Sequence, residues 1–441
     1  MLPAGVRTVI GKEYGNGQLI FLFLRLIPTI MSKFNGALFQ YPQLLAFGFT
    51  LAFFSGFGQT FLLSLYVPEV ANSFTLSNTQ LSSLYAIATL GSAFTLPWVG
   101  HYVDIWPLRR YTSAVLLGLG AALLVLSLAP HPLVVLVGFW GLRLGGQALM
   151  GHTAISTLAR AYQQARGKAI SLATLGHPAG EAALPLAVAA LIMAVGWRGA
   201  LQFSAAATAI IVLPLCLWLL RSAPSSVAYP AGRSWKLAPA GLSFGPTYWH
   251  LLGSANFWAL APAACLWGAT ITAVLFFQLQ LGATRGWDPH WVAGSIAAFA
   301  LANALAMMGS GILADRLTGR RAYPFFLLPM LLGLLLLAFI RQPWVYPLVL
   351  FFLGLSNGSG STLLNTALAE VFGTASIGAV RSLFAMAIVV STAVGPVAFG
   401  ALLDLGWPFE WVLGLAALVL AGGVGWSTLR APGRVEETVD P

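Results

Sequence analysis

Charge is what this chain has least of. Only 8% of its 441 residues are Asp, Glu, Lys or Arg, while 58% are hydrophobic and the mean hydropathy is +0.84. A soluble domain carries roughly 25% charged residues, so a water-soluble globule is excluded. Cysteine is almost missing as well. Cys216 and Cys265 both fall inside apolar runs, which leaves no disulfide framework and no thiolate metal site. No HExxH pair, no GxxxxGK[ST] loop and no nucleophile arrangement is present, so metal-assisted hydrolysis, ATP hydrolysis and covalent catalysis lose their basis. The sequence argues against an enzyme and requires neither cofactor nor metal.

What fills the chain instead is hydrocarbon-length segments. Twelve apolar runs, at 44–66, 79–99, 111–129, 133–158, 169–195, 199–220, 256–280, 291–313, 322–340, 344–367, 380–403 and 409–429, are each long enough to cross about 30 Å of lipid at about 1.5 Å per helical residue. The expected fold class is an all-α membrane protein, with twelve transmembrane helices in two pseudo-symmetric six-helix bundles.

A net charge of +10 raises the question of a nucleic-acid partner. Of the 22 Lys and Arg, only Arg198, Arg285 and Arg341 lie in one set of loops and Arg143 lies within a span; the others fall in the opposite loops or at the two ends of the chain. By the positive-inside rule that asymmetry places both termini in the cytoplasm. The basic balance is topological, and no nucleic acid is implied. The partners implied are the lipid bilayer, a small-molecule substrate and protons; a monomer is compatible with the sequence, which leaves oligomeric state open. The pattern suits a multi-pass protein of a cell membrane, such as a bacterial inner membrane.

One short pattern occurs twice. Gly100, Asp104, Arg109 and Arg110 in GHYVDIWPLRR recur with the same internal spacing as Gly311, Asp315, Arg320 and Arg321 in GILADRLTGRR. Pro185 and Pro396 keep the same offset, and Gly196/Trp197 answers Gly406/Trp407 with one residue of slippage. A duplicated half explains all of these, and two bundles that rock about a central site need such symmetry. The expected units are an N-terminal cytoplasmic or interfacial segment at 1–43, bundles at 44–220 and 256–429, a polar central loop at 221–255 and a tail at 430–441. Leu19 to Met31 is apolar, but it is short, interrupted by Arg25 and lacks a cleavage site, so it is neither a clear span nor a signal peptide. A surface helix and a start at Met31 are the two readings.

The two GxxxD...RR loops resemble the signature of the major facilitator superfamily, and twelve spans with a long central loop are similar too. The resemblance runs from Leu44 to Leu429. It implies alternating access, with the signature loops holding the cytoplasmic side shut; Asp104 or Asp315 would bind free amides of a neighbouring helix or pair with Arg110 or Arg321. The bland reading is that these charges only set topology. RLGGQALMG from Arg143 resembles a second motif of that superfamily, and the passage from Arg166 to Pro185 is similar to the fifth span of its monocarboxylate and oxalate/formate porter branch. That branch typically presents a cation from its eighth span, where this chain has none between Trp291 and Leu313.

Ionisable groups inside a membrane are costly and mark function. Of the twelve Asp and Glu, only Glu181 lies deep within a span, and Arg143 sits at a matching depth in the preceding antiparallel span. His177 is one turn before Glu181, Gln147 one turn after Arg143, and Pro178 can kink the helix between His177 and Glu181. A carboxylate that a cation favours and desolvation opposes can load and release a proton. Glu181, Arg143, His177 and Gln147 are therefore the expected proton-coupling or substrate-binding residues, a permanent Arg143/Glu181 fastener being the competing reading. His152 points away from Arg143 and suits packing. Gln59, Tyr85, Gln278, Asn303 and Asn357 are candidate cavity-lining residues, each also explicable as an interhelical hydrogen bond. The positions in the second half that answer Arg143 and Glu181 are Gly354 and Thr392, so ionic chemistry belongs to the first half. Proton-coupled transport of a small organic anion such as a carboxylate is the leading expectation. Export of amphipathic drug-like compounds, and a non-transporting receptor on the same scaffold, are the alternatives.

Overall fold

The computed structural model describes residues 40–162, 165–228, 246–373 and 377–430. The segment 1–39, most of the central loop, the tail from 431 and the side chain of Asp315 lie outside the described residues, and with them the expectations about Leu19 to Met31. Among the described residues the chain is helical throughout. Nine helices among the described residues are long and apolar enough to cross a membrane.

Those nine account for ten passages, because Arg166–Ser222 is two helices merged across Gly196, whose φ of 72° breaks the rod. That left-handed conformation is cheap only for glycine. Asn78–Gly100 has the length of a span at 23 residues, but Asn, Thr, Gln and Ser soften its hydropathy. The first passage is shortened by an internal break. Twelve passages result: α1 (42–63), α2 (Asn78–Gly100), α3 (Leu108–Ser127), α4 (Pro132–Ala161), α5 (166–195), α6 (197–222), α7 (Ala255–Phe276), α8 (Pro289–Leu317), α9 (Gly319–Phe339), α10 (Val345–Phe372), α11 (Ile377–Asp404) and α12 (Phe409–Leu429).

The ends are specified locally. Ser77 and Gln80 form a reciprocal capping box at the start of α2, satisfying two of the orphan N–H groups there. Asp288 caps α8 through the amides of His290 and Trp291. On the face away from the signature loops, arginines tie helix ends together. Arg198 donates to the carbonyls of Ser127 and Ala129 at the end of α3, and Arg285 to those of Leu337 and Ile340 at the end of α9. Glu410 adds ion pairs to Arg341 at 3.0 Å and Arg285 at 3.6 Å. Burial pulls the Arg285 guanidinium below the ordinary arginine range, and Glu410 opposes that pull.

The two halves meet along α2 with α11 and α5 with α8. Within each half, small residues let helices touch: a Cβ on Gly354 would lie 2.3 Å from the carbonyl of Phe299, and one on Gly358 would lie 2.2 Å from that of Asn303. Gly395 lets α11 lie against the backbone of Ala269 in α7, and α11 remains one helix through Pro396.

Candidate functional site

The expectation of a continuous first span is wrong in one place, and that place organises the site. Helix Pro42–Phe54 tightens to a 3-10 turn at Ser55–Gly58 and then opens at Gln59, with φ −87° and ψ 150°. The amides of Leu62 and Leu63 both turn to the carbonyl of Gln59. Gly58 is thereby left with a carbonyl that no helical neighbour takes. Arg143 takes it, through Nη1 at 3.2 Å.

Arg143 opens a wide π-helical turn, Arg143–Met150, in α4. Such turns are rare and cluster at functional sites. The turn and the break face each other without side chains between them. A Cβ on Gly58 would lie 2.3 Å from the amide of Gln147, and one on Gly146 would lie 2.5 Å from the amide of Gly58, so only paired glycines permit this contact.

Among the described residues no acid lies within ion-pair distance of Arg143. Arg143 is 3% exposed; its guanidinium stands 5.2 Å from the centre of the Tyr85 ring and keeps its Nε without a hydrogen-bond partner. Gln147 is exposed on the same turn.

Glu181 is likewise 3% exposed. Its Oε1 lies 3.4 Å from Nδ1 of His177, and its Oε2 has no partner. The His177 ring meets Phe61 of α1 edge-on at 6.4 Å. Helix α5 breaks at Leu175, where Pro178 withholds the amide that would have bonded to Thr174. The kink expected from Pro178 is present one turn before it. A permanent Arg143/Glu181 fastener is not formed: both residues are described, and the ion pairs of the structure do not include one between them. His152 packs against Gly100, away from the site.

The candidate lining residues separate into two groups. Tyr85 and Gln278 are fully buried and belong to a seam between the halves rather than to an open cavity. Gln278 donates to Ser64 Oγ at 2.6 Å and to the carbonyl of Phe61, and accepts from Tyr346. Tyr85 shares a 2.6 Å hydrogen bond with Thr60 and packs at 4.9 Å on Phe276 of α7. The second group, Asn303 and Asn357, forms a mid-depth chain with Trp267 in the other half. Gln59 is half-buried at the break itself.

The seam continues to the end of the molecule. Asp404, at the end of α11, accepts from the backbone amides of Asn78 and Thr79 and from the Asn78 side chain, at 2.8 to 3.0 Å. Sequence reasoning passed over Asp404, because nothing local marks a carboxylate that caps a helix of the other half. These bonds between the halves gather away from the signature loops. A carboxylate at a helix N-terminus is worth about 0.3–2 kcal/mol, so Asp404→Asn should loosen the seal by roughly two- to thirtyfold. The check is the labelling rate of Ser64→Cys, in a background without the two native cysteines, by an impermeant thiol reagent applied from that face. Unchanged labelling would show that the bond does not hold the halves together.

At the opposite face the signature loops are tied within their own halves. Asp104 pairs with Arg160 at the end of α4, and Arg160 also donates to the carbonyl of Val103. This corrects the expected pairing of Asp104 with Arg110 or Arg321; Arg109, Arg110 and Arg321 are exposed, Gly100 is buried and Gly311 half-buried. In the second half Glu370, at the end of α10, accepts from the amides of Gly319 and Arg320. One half uses a cation from its fourth passage and the other an anion from the equivalent passage, so the duplicated loops are held by opposite chemistry. Of the second loop's expected set, the Arg320 amide thus meets a carboxylate of its own half.

Comparison with known proteins fits this architecture. The profile of the Major Facilitator Superfamily matches residues 48–396 and again 295–440, and the chain belongs to that superfamily. A search of curated proteins finds no match. Among solved structures, a bacterial homologue of the human lysosomal transporter Spinster, inward-facing and unoccupied, superposes with a TM-score of 0.67 at 16% identity, covering 89% of this chain and 96% of that one. The nucleoside transporter NupG gives 0.63 at 15% identity, covering 89% and 97%. At such identity the likeness is one of fold. The protein is a multi-pass membrane transporter rather than an enzyme, with a small molecule as its substrate.

Proposed function

We propose that this transporter carries a small organic anion, such as a carboxylate, together with a proton, by alternating access. One observation carries the reading: two opposite charges lie buried near mid-depth of the same bundle and do not neutralise each other. Each keeps a polar atom without a partner, Nε on Arg143 and Oε2 on Glu181. A buried charge left unpaired is costly, and a cargo that binds there removes the cost. Arg143 is the anion anchor, and Gln147 beside it offers an amide donor. Glu181 carries the proton, with His177 as its relay.

Tyr85 links the site to the seal. Its ring is near both the Arg143 guanidinium and Phe276 of the other half, so an anion that draws Arg143 away changes the surroundings of the contact that holds the halves together. Differential contact of this kind is what lets a ligand shift a conformational equilibrium. With the basic loops in the cytoplasm, as the positive-inside rule requires, the seal is external and the state is closed to the outside. The division into bundles at 44–220 and 256–429 goes with this proposal, as does residence in a bacterial inner membrane.

One proton with one monoanion moves no net charge, so internal pH is the more telling readout than current. Reconstituted liposomes loaded with a pH-sensitive dye should acidify when monocarboxylates are added outside, and dicarboxylates should add a current. Acidification absent with every anion, or a response to cationic drugs alone, would replace this reading with the exporter one.

A further inference from the structure

The uncharged half of the site has a direction, set by a residue with no choice. The indole N–H of Trp267 can only donate. It donates at 3.2 Å to Asn357 Oδ1, which fixes that amide with its nitrogen turned the other way. Asn357 Nδ2 then donates at 3.1 Å to Asn303 Oδ1. The last amide is fixed in turn, with its own nitrogen at the far end. Asn303 Nδ2 has no hydrogen-bond partner among the described residues and is not one of the fully sealed polar atoms. The three side chains come from α7, α10 and α8, and each is twelve to fourteen residues from its helix end, or about 18–21 Å along a helix. That is the depth of Arg143 and Glu181. Trp267 and Asn357 are both half-exposed, and α7 also meets α1 of the other half, which turns this chain of amides toward the space between the halves.

We infer that Asn303 is a specificity-determining residue, which presents an amide N–H to a hydrogen-bond acceptor on the cargo. The inference rests on the anion reading and narrows it. The cargo carries, besides the anionic group held at Arg143, a second and uncharged acceptor such as a carbonyl, ether or ring nitrogen. A plain aliphatic monocarboxylate leaves the Asn303 donor unpaired. A site built to hydrogen-bond a polar group rejects the analogue that lacks it far more strongly than an apolar pocket rejects an extra methylene.

Matched pairs test this on the purified full-length protein. Butyrate and acetoacetate differ by one carbonyl, as do propionate and pyruvate, and binding is read from the anion concentration that raises the thermal midpoint. The wild type is expected to bind the carbonyl member at least about tenfold more tightly, the equivalent of 1.4 kcal/mol. Asn303→Leu should erase that preference, so that the two members of each pair bind alike. Asn303→Asp keeps an acceptor for Asn357 but has no amide donor, and it should lose the preference too. It serves as the isosteric variant if the leucine protein does not fold. Equal affinity within the pairs, or a preference that survives both substitutions, would overturn the inference while Arg143-dependent anion binding stands. Failure of every anion to bind would remove the anion reading and this inference together.

Discussion

Arg143→Gln is expected to weaken anion binding at least about 30-fold, because removing one partner of a buried charge pair costs about 2–5 kcal/mol. The chain should still fold. Glutamine ends two bonds short of the atom that holds the Gly58 carbonyl, so that bond is given up, but the glycine contact between α1 and α4 involves no side chain and still joins the two helices. What is lost for the cargo is the charge and the free Nε. Arg143→Lys separates the two. Its ammonium restores the charge, but it cannot hold the Gly58 carbonyl and offer a second donor in a fixed plane as guanidinium does, so recovery should be partial. The measurement is anion-dependent thermal stabilisation with uptake at matched protein in liposomes. If Arg143→Gln binds anions normally and merely melts earlier, Arg143 fastens α1 to α4 and is no anchor.

Much of this could be read from the residues, and what could not has a physical reason. Hydropathy locates the passages because a lipid core tolerates few other patterns, and deep charges stand out because they are so costly there. Arg143, His177 and Glu181 were legible on that ground. The break at Gln59 was not. Its apolar run continues smoothly through the opening, and the only local hint is the Gly56 and Gly58 pair, which also suits close packing. The π-helical turn after Arg143 has no composition of its own; what distinguishes it is the close approach of its backbone to Gly58 of α1. Whether Arg143 and Glu181 pair depends on which rotamers the surrounding helices leave open, and depth alone says nothing of that. Arg160 and Glu370 sit at the ends of spans on the correct face, so charge alone made them available to the loops, but the sequence offered several other arginines. Asp404 required knowing that α11 lies beside α2, which is a property of the assembled halves.

Glu181→Gln should abolish coupling while sparing binding. The substitution keeps the shape and places an amide where Oε1 meets His177 at 3.4 Å, but it removes the only acidic group deep in the first bundle. A transporter that moves one proton with one monoanion is driven by the pH gradient, and one pH unit stores about 1.4 kcal/mol per proton, enough for roughly tenfold accumulation. The variant should lose that accumulation and the internal acidification together. Exchange of internal for external anion needs the bundles to rock with Arg143 loaded and no net proton movement, so it should persist. His177→Gln, which removes the relay and leaves the carboxylate, should slow coupled uptake without removing accumulation at equilibrium. The readouts are uphill uptake under an imposed one-unit gradient and isotope exchange at uniform pH. Accumulation that survives in Glu181→Gln would move the proton elsewhere and leave Glu181 as a buried partner of His177. Loss of exchange together with accumulation would instead mark Glu181 as part of the anion site itself, since a residue that serves coupling alone has no reason to stop an exchange that carries no proton.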